Sequence, residues 1–218
     1  MRKAIYPGSF DPPTLGHVDI INRCLPFVDE LYIGIGANSL KSHPTFSAQE
    51  RVDLLNRIFK TNSTPLVVQN LENSQNQRLR VDPIEAASYP RDRSDADSVK
   101  DQDGDTGKNQ VLNHERYKIK VVTFSGLLVD FVKKHSIDTI IRSFRTSADI
   151  NFEMAQASLN RQMTGIETFW INALPQYRDL SSTLIKEIGQ SGKSLDHFIP
   201  SEILKEVEDR LTIEGAHR

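Results

Sequence analysis

Ten consecutive residues near the start of the chain, Gly8-Ser9-Phe10-Asp11-Pro12-Pro13-Thr14-Leu15-Gly16-His17, combine two glycines, hydroxyls and an imidazole in one loop. The glycines permit backbone conformations and close approaches that other residues resist. Ser9 offers a hydroxyl, and His17 stands where a helix begins. Such a set suits an anion held at a helix N-terminus, a phosphate above all. Taken alone, Thr14-x-Gly16-His17 reads first as a Gly/Pro-rich turn with a surface histidine. Three cations shift the balance. Lys41, Arg142 and Arg145 each follow an apolar, strand-like run, which brings them to separate βα loops at one edge of a sheet. Asp149 and Glu153 lie four apart on the next helical stretch and share a face, where they position the arginines, accept from a ligand, or form ordinary helix ion pairs. Ser181-Ser182-Thr183 opens another helix with three hydroxyls, and capping needs one. The surplus suits phosphate or nucleotide.

These residues need a frame that delivers them to one edge. Residues 3 to 6 form a strand-like run ended by Pro7-Gly8, and Val18, Ile21, Cys24, Leu25 and Val28 recur at helical spacing over 17 to 28. Residues 31 to 37 (LYIGIGA) read as a second, buried strand, and Ser47 with Glu50 signals a capped helix through about Phe59. The rhythm resumes with a strand at 119 to 124, a helix at 127 to 135, a strand at 138 to 142, a helix at 147 to 163 and a strand at 167 to 172. Helices follow near 182 to 190 and 201 to 211. Alternation of this kind predicts an α/β fold, a doubly wound, mostly parallel five-stranded sheet with helices on both faces.

The rhythm breaks between about residues 62 and 117. Six aspartates from Asp92 to Asp105 mix there with Arg91, Arg93, Lys100 and Lys108, and no aromatic lies between Tyr89 and Tyr117. So polar a stretch buries too little apolar surface to offset its ordering entropy, so the expectation is one domain interrupted by a flexible insertion. Asp101-x-Asp103-x-Asp105 hints at a calcium loop, but Thr106 and Leu112 stand where an EF-hand needs Gly and Glu.

Bulk properties narrow the function. With 27 basic and 29 acidic residues, the net charge of -2 gives no general attraction to nucleic acid or anionic membrane. An anionic ligand must therefore be held by a local cluster. Cys24 is the single cysteine, which excludes an internal disulfide and a multi-cysteine metal site and fits a reducing, cytoplasmic setting. The first apolar run is too short for a signal h-region, and none later is long enough to span a bilayer.

The opening AIYPGSFDPPTLGHVDII, with FSGLLVDF at 124 to 131, IIRSFR at 140 to 145, the NFEMAQASLNRQ helix and LSSTLIKE, resembles the phosphopantetheine adenylyltransferase family. That family lies within a nucleotidyltransferase superfamily sharing its Gly-His loop with class I aminoacyl-tRNA synthetases. The resemblance covers about residues 2 to 60 and 118 to 205. It implies a Rossmann-like domain joining the AMP part of ATP to phosphopantetheine, giving dephospho-coenzyme A and pyrophosphate.

By the same resemblance His17, Lys41 and Arg142 are catalytic. Ser9, Phe10, His17, Arg145, Glu153, Ser181, Ser182 and Thr183 serve ATP. Ser9, Lys41, Leu127, Leu128, Arg142 and Asn160 serve the acceptor. Mg²⁺ accompanies ATP, held by phosphates and water. Homo-hexamers and inhibition by coenzyme A are likewise implied. The sequence departs from the family pattern at Ser143, where glycine is usual, in one extra residue after Lys41, and at Arg178-Asp179. Rival readings are another phosphate acceptor (nicotinamide mononucleotide, flavin mononucleotide or glycerol phosphate) and a nucleotide-binding regulator without catalysis.

Overall fold

The computed structural model describes residues 2–36, 44–61 and 117–216, apart from the side chains at 147, 148 and 216. The elements run β1 (Lys3–Gly8), α1 (Leu15–Cys24), β2 (Glu30–Gly36), α2 (Ala48–Phe59), β3 (Lys118–Phe124), α3 (Leu128–Lys134), β4 (Thr139–Phe144), α4 (Ser147–Thr164), β5 (Glu167–Asn172), α5 (Ser182–Gln190) and α6 (Leu204–Ala216). The expected interruption at 62 to 117 lies outside the described residues except for Tyr117, which packs partly buried against the core.

All five strands pair in parallel, in the order β3-β2-β1-β4-β5. The chain steps outward from β1 through β2 to β3, then returns to the other side of β1 to place β4. Strand order thus reverses between β1 and β4, and a crevice opens there beyond the carboxyl ends of the strands. One apolar layer, including Ile21, Leu55, Ile185 and Leu211, joins the sheet to α1, α2, α5 and α6. The other, with Ile5, Val122, Phe131 and Val132, lies on the α3 side. Each such side chain contributes about 1.5–3 kcal/mol when fully buried. The alternation along β1 sorts its residues: Ala4 and Tyr6 face the first layer, Ile5 the second.

Most boundaries shift by one or two residues from the sequence reading, and at three elements the shift has a clear physical reason. The first helix starts at Leu15 rather than 17 and ends at Cys24, where Pro26 breaks the α ladder and a 3₁₀ turn, Leu25–Phe27, follows. The last helix begins at Leu204, because Pro200–Ile203 forms a turn in which Ile203 N–H donates to Pro200 O at 3.1 Å. Most consequential is β4. It continues past its apolar run to Phe144 because its pairing with β5 extends to Phe144↔Asn172. Arg142 therefore belongs to the strand and not to the loop after it. Ser47 and Glu50 form the expected capping box on α2.

Candidate active site

The loop between β1 and α1 is built outward from its caps. Thr14 is the N-cap of α1 and adopts extended backbone; its Oγ1 accepts from His17 N–H at 3.4 Å. In return, Thr14 N–H donates to Nδ1 of His17 at 3.1 Å, and the Thr14 hydroxyl lies 2.8 Å from the same nitrogen. An Nδ1 that accepts carries no proton, so the neutral ring holds its proton on Nε2 as a donor. Phe10 takes positive φ, 49°, and its fully buried ring packs 5.0 Å from His17 and 5.8 Å from Tyr6 between centroids. Gly8 does not supply the left-handed residue of this loop. Its requirement is space, since a Cβ there would lie 2.9 Å from the Phe10 ring. Gly8→Ala should displace Phe10, and with it the His17 ring, at a cost of about 1–3 kcal/mol. A melting temperature and turnover rate equal to wild type would refute that coupling.

Two charged anchors fix the rest of the loop. Asp11 is buried, with Oδ1 accepting from Phe46 N–H at 2.9 Å and Oδ2 from Thr45 N–H at 3.2 Å and from Lys186 at 2.9 Å. Arg51, 3% exposed, donates to Ser9 O at 2.8 Å from α2. The hydroxyl-rich helix start divides its work. Ser181 caps α5 by accepting from Leu184 N–H at 3.1 Å, and Ser182 donates to Pro12 O at 3.0 Å. Thr183 remains exposed at the crevice.

Across the switch point, Arg142 reaches from β4 to Glu153 on α4. Its Nε donates to Oε2 at 2.6 Å and its Nη2 to Oε1, a two-point clamp, while Nη1 donates to Pro7 O at 3.1 Å. These partners use three of five guanidinium donors. Glu153 is 8% exposed, so it orients Arg142 from within the protein. Arg145 donates to Leu180 O at 3.2 Å and lies 3.6 Å from Asp149. Asp149 also caps α4, accepting from Arg145 N–H at 3.1 Å and Thr146 N–H at 3.2 Å. Burial pushes its carboxyl up, but those N–H groups and the Arg145 guanidinium outweigh it and hold Asp149 below the usual range.

Together these residues line a cavity of about 320 Å³ beyond the carboxyl ends of β1 and β4. Ser9 and His17 form one wall, Arg142, Arg145 and Glu153 another, and Ser181, Ser182 and Thr183 a third. Burial, then the charge of Arg145, lowers the His17 pKa to about 4. The ring is thus a neutral hydrogen-bond donor beside two permanent cations. The same shift has a stability consequence. Between about pH 6.5 and 4 the unfolded chain takes up a proton that the folded ring refuses, so this contribution is complete above pH 6.5 and drains away as pH falls. Denaturant titrations at neutral pH and near pH 5 should show wild type losing more stability than His17→Gln; equal losses would contradict the buried neutral ring.

A crevice with convergent cations, a neutral imidazole donor and hydroxyls at a topological switch point offers the donors that a polyphosphate would need. The cytidylyltransferase-like family model matches residues 5–188. A phosphopantetheine adenylyltransferase of Streptomyces coelicolor is 30% identical over 211 residues, covering 97% of this chain and 98% of its own length. That of Lachnoclostridium phytofermentans is 32% identical over 211 residues, 96% of each. The chain belongs to the phosphopantetheine adenylyltransferase family. Its fold is shared with a crystal structure from Vibrio parahaemolyticus, described as a candidate nicotinate-nucleotide adenylyltransferase, at a TM-score of 0.51 and 15% identity over 100% of this chain and 96% of that one.

Within this adenylyltransferase-family chain, the cavity gathers eight of the thirteen residues to which the resemblance gives a role: Ser9, His17, Arg142, Arg145, Glu153, Ser181, Ser182 and Thr183. Phe10 shapes the loop from the core and does not line the cavity. Leu127 is exposed at the start of α3, Leu128 packs on the α3-side core, and Asn160 lies far along α4 with its carbonyl accepting from Thr164; none of the three lines this cavity. Lys41 lies outside the described residues. Sequence reasoning passed over Tyr6, Asp11, Arg51, Lys186 and the tautomer-setting role of Thr14. The Thr14-x-x-His17 spacing, which is that of a capping box, carried the last of these signals.

Proposed function

We propose that this chain transfers the AMP moiety of ATP to phosphopantetheine, forming dephospho-coenzyme A and releasing pyrophosphate. A phosphate oxygen of the acceptor attacks the α-phosphorus of ATP, the new P–O bond forms, and the bond to the β-phosphate oxygen breaks, its electron pair leaving with pyrophosphate. The acceptor is already a nucleophile. The enzyme's task is to align the two groups and to stabilise the negative charge that grows on the phosphoryl oxygens. The observation that carries this reading is the joint placement of the His17 donor and the Glu153-clamped Arg142 at one cavity between β1 and β4.

In this reading Arg142 neutralises the reacting phosphates, and His17 donates through Nε2 to the transferred phosphoryl group. Arg145 and the hydroxyls of Ser181, Ser182 and Thr183 hold the nucleotide. Lys41 adds a cation from the segment after β2, and Leu127, Leu128 and Asn160 receive the pantetheine arm. Asp149 and Glu153, the carboxylates at the cavity, already hold backbone N–H groups and Arg142. That donor set fits a Mg²⁺ that arrives on its substrate, carried by phosphate oxygens and water, and supplies neutralisation of the triphosphate.

Self-association, hexameric by family analogy, and inhibition by coenzyme A at the acceptor site belong to the same proposal, as does a cytoplasmic setting. Phe152 and Phe169, 62% and 61% exposed on α4 and β5, support self-association. Among the described residues no helix is long and apolar enough to cross a membrane.

The test is pyrophosphate release from ATP and Mg²⁺ with each acceptor in turn. Release with phosphopantetheine and not with nicotinamide mononucleotide, flavin mononucleotide or glycerol phosphate is expected. Release with none of them, from a protein that binds ATP, would replace the transferase with a nucleotide-binding regulator.

A further inference from the structure

Tyr6 and Ser143 stand on neighbouring strands, β1 and β4, and both line the cavity. Their hydroxyls meet, Oη to Oγ, at 3.2 Å. The alternation of β4 puts Ser143 on the same side of the sheet as Ile141, whose layer includes Tyr6 and the α1 residues Ile20 and Ile21. The pair therefore belongs to the wall that carries His17, whereas Arg142, the next residue along, points to α4. Burial keeps the Tyr6 phenol protonated, against the opposing pull of Ser143 and Arg142.

Two hydroxyls hold two protons. One lies in the bond between them, whichever group donates it, and the other is left to a further acceptor. Neither oxygen has another described protein partner. The cavity is the remaining direction, and in a crevice flanked by Arg142 and Arg145 its occupant is anionic.

We propose that the Tyr6–Ser143 pair is a phosphoryl-binding element, with Ser143 Oγ–H donating to a phosphate oxygen of the bound nucleotide and Tyr6 holding that hydroxyl in place. Ser143 is a binding residue for the triphosphate, and Tyr6 is its positioning residue. This inference rests on the nucleotide reading of the cavity. It also gives the serine at this position of the arginine segment a task of its own, since a side chain that only filled space would not need a buried hydroxyl beside it.

The experiment is calorimetric binding of ATP and of adenosine to the full chain. Ser143→Ala should weaken ATP roughly tenfold, the scale of one hydrogen bond to a charged group, while adenosine affinity stays at its wild-type value. Ser143→Thr, which restores the hydroxyl on a strand-compatible side chain, should recover most of the ATP affinity. Tyr6→Phe should give a smaller loss, again confined to ATP, with melting temperatures reporting any damage to the core. Equal ATP affinity in wild type and Ser143→Ala, or an equal loss for ATP and adenosine, would overturn the proposal. Wild type that binds adenosine but gains nothing from the triphosphate would overturn the nucleotide reading beneath it, and this element with it.

Discussion

Arg142→Ala should lower kcat/KM by more than 10³, the largest loss expected from any single change in the cavity. Removing one well-placed donor to a developing phosphoryl charge costs about 10² to 10³. Here the truncation does more, because Glu153 is buried and its carboxylate is held by the guanidinium at two points. Without Arg142, that carboxylate stands unpaired beside the place where phosphate must bind, and repels it. The second change follows from the first. Adding Glu153→Gln to Arg142→Ala should return roughly tenfold of the lost activity, since the repulsion goes while the missing donor stays missing. Simple additivity of the two losses in steady-state kinetics would mean that Glu153 does something other than hold Arg142.

His17→Ala should fold and lose roughly 10² to 10³ in kcat, with a smaller change in KM for ATP. The missing group is the Nε2–H donor, set in place by Thr14 N–H at Nδ1 and by the Phe10 ring. Helix α1 keeps half of its cap in the variant, because Thr14 Oγ1 also accepts from the backbone N–H at position 17, a bond the substitution leaves in place. A stability loss of about 0.5–2 kcal/mol is expected from the other half. Since the wild-type ring is neutral, its pKa lowered to about 4, lowering the pH from 8 to 6 should not change the ratio of wild-type to variant rates in the free enzyme. Wild-type turnover by the variant would remove His17 from the mechanism.

Much of this arrangement was legible in the residues because parallel α/β sheets advertise themselves. Buried strands such as Glu30–Gly36 and Lys118–Phe124 read as apolar runs, and Ser47-x-x-Glu50 marks its helix start without tertiary information. The edge on which the loops converge follows from parallel pairing alone. What escaped depended on contacts between elements distant in sequence. Arg142 looked like a loop residue because its strand outlasts its apolar stretch, and only pairing with β5 reveals the continuation. Asp11 looked like one more polar loop residue, although it binds Thr45, Phe46 and Lys186 across the site. The surplus of hydroxyls at the start of α5 was real in part: two of the three already have protein partners, and Thr183 is the one left exposed to the cavity. Ser143, unusual against the family pattern, turned out to have a phenol waiting beside it.

The most direct test of nucleotidyl transfer at this cavity follows the α-phosphate itself. Incubated with ATP labelled at the α-phosphorus, Mg²⁺ and phosphopantetheine, the wild-type protein should move the label into dephospho-coenzyme A in step with pyrophosphate release, and Arg142→Ala should move almost none. Label that stays in ATP, or appears only as free AMP while phosphopantetheine is unchanged, would contradict the account.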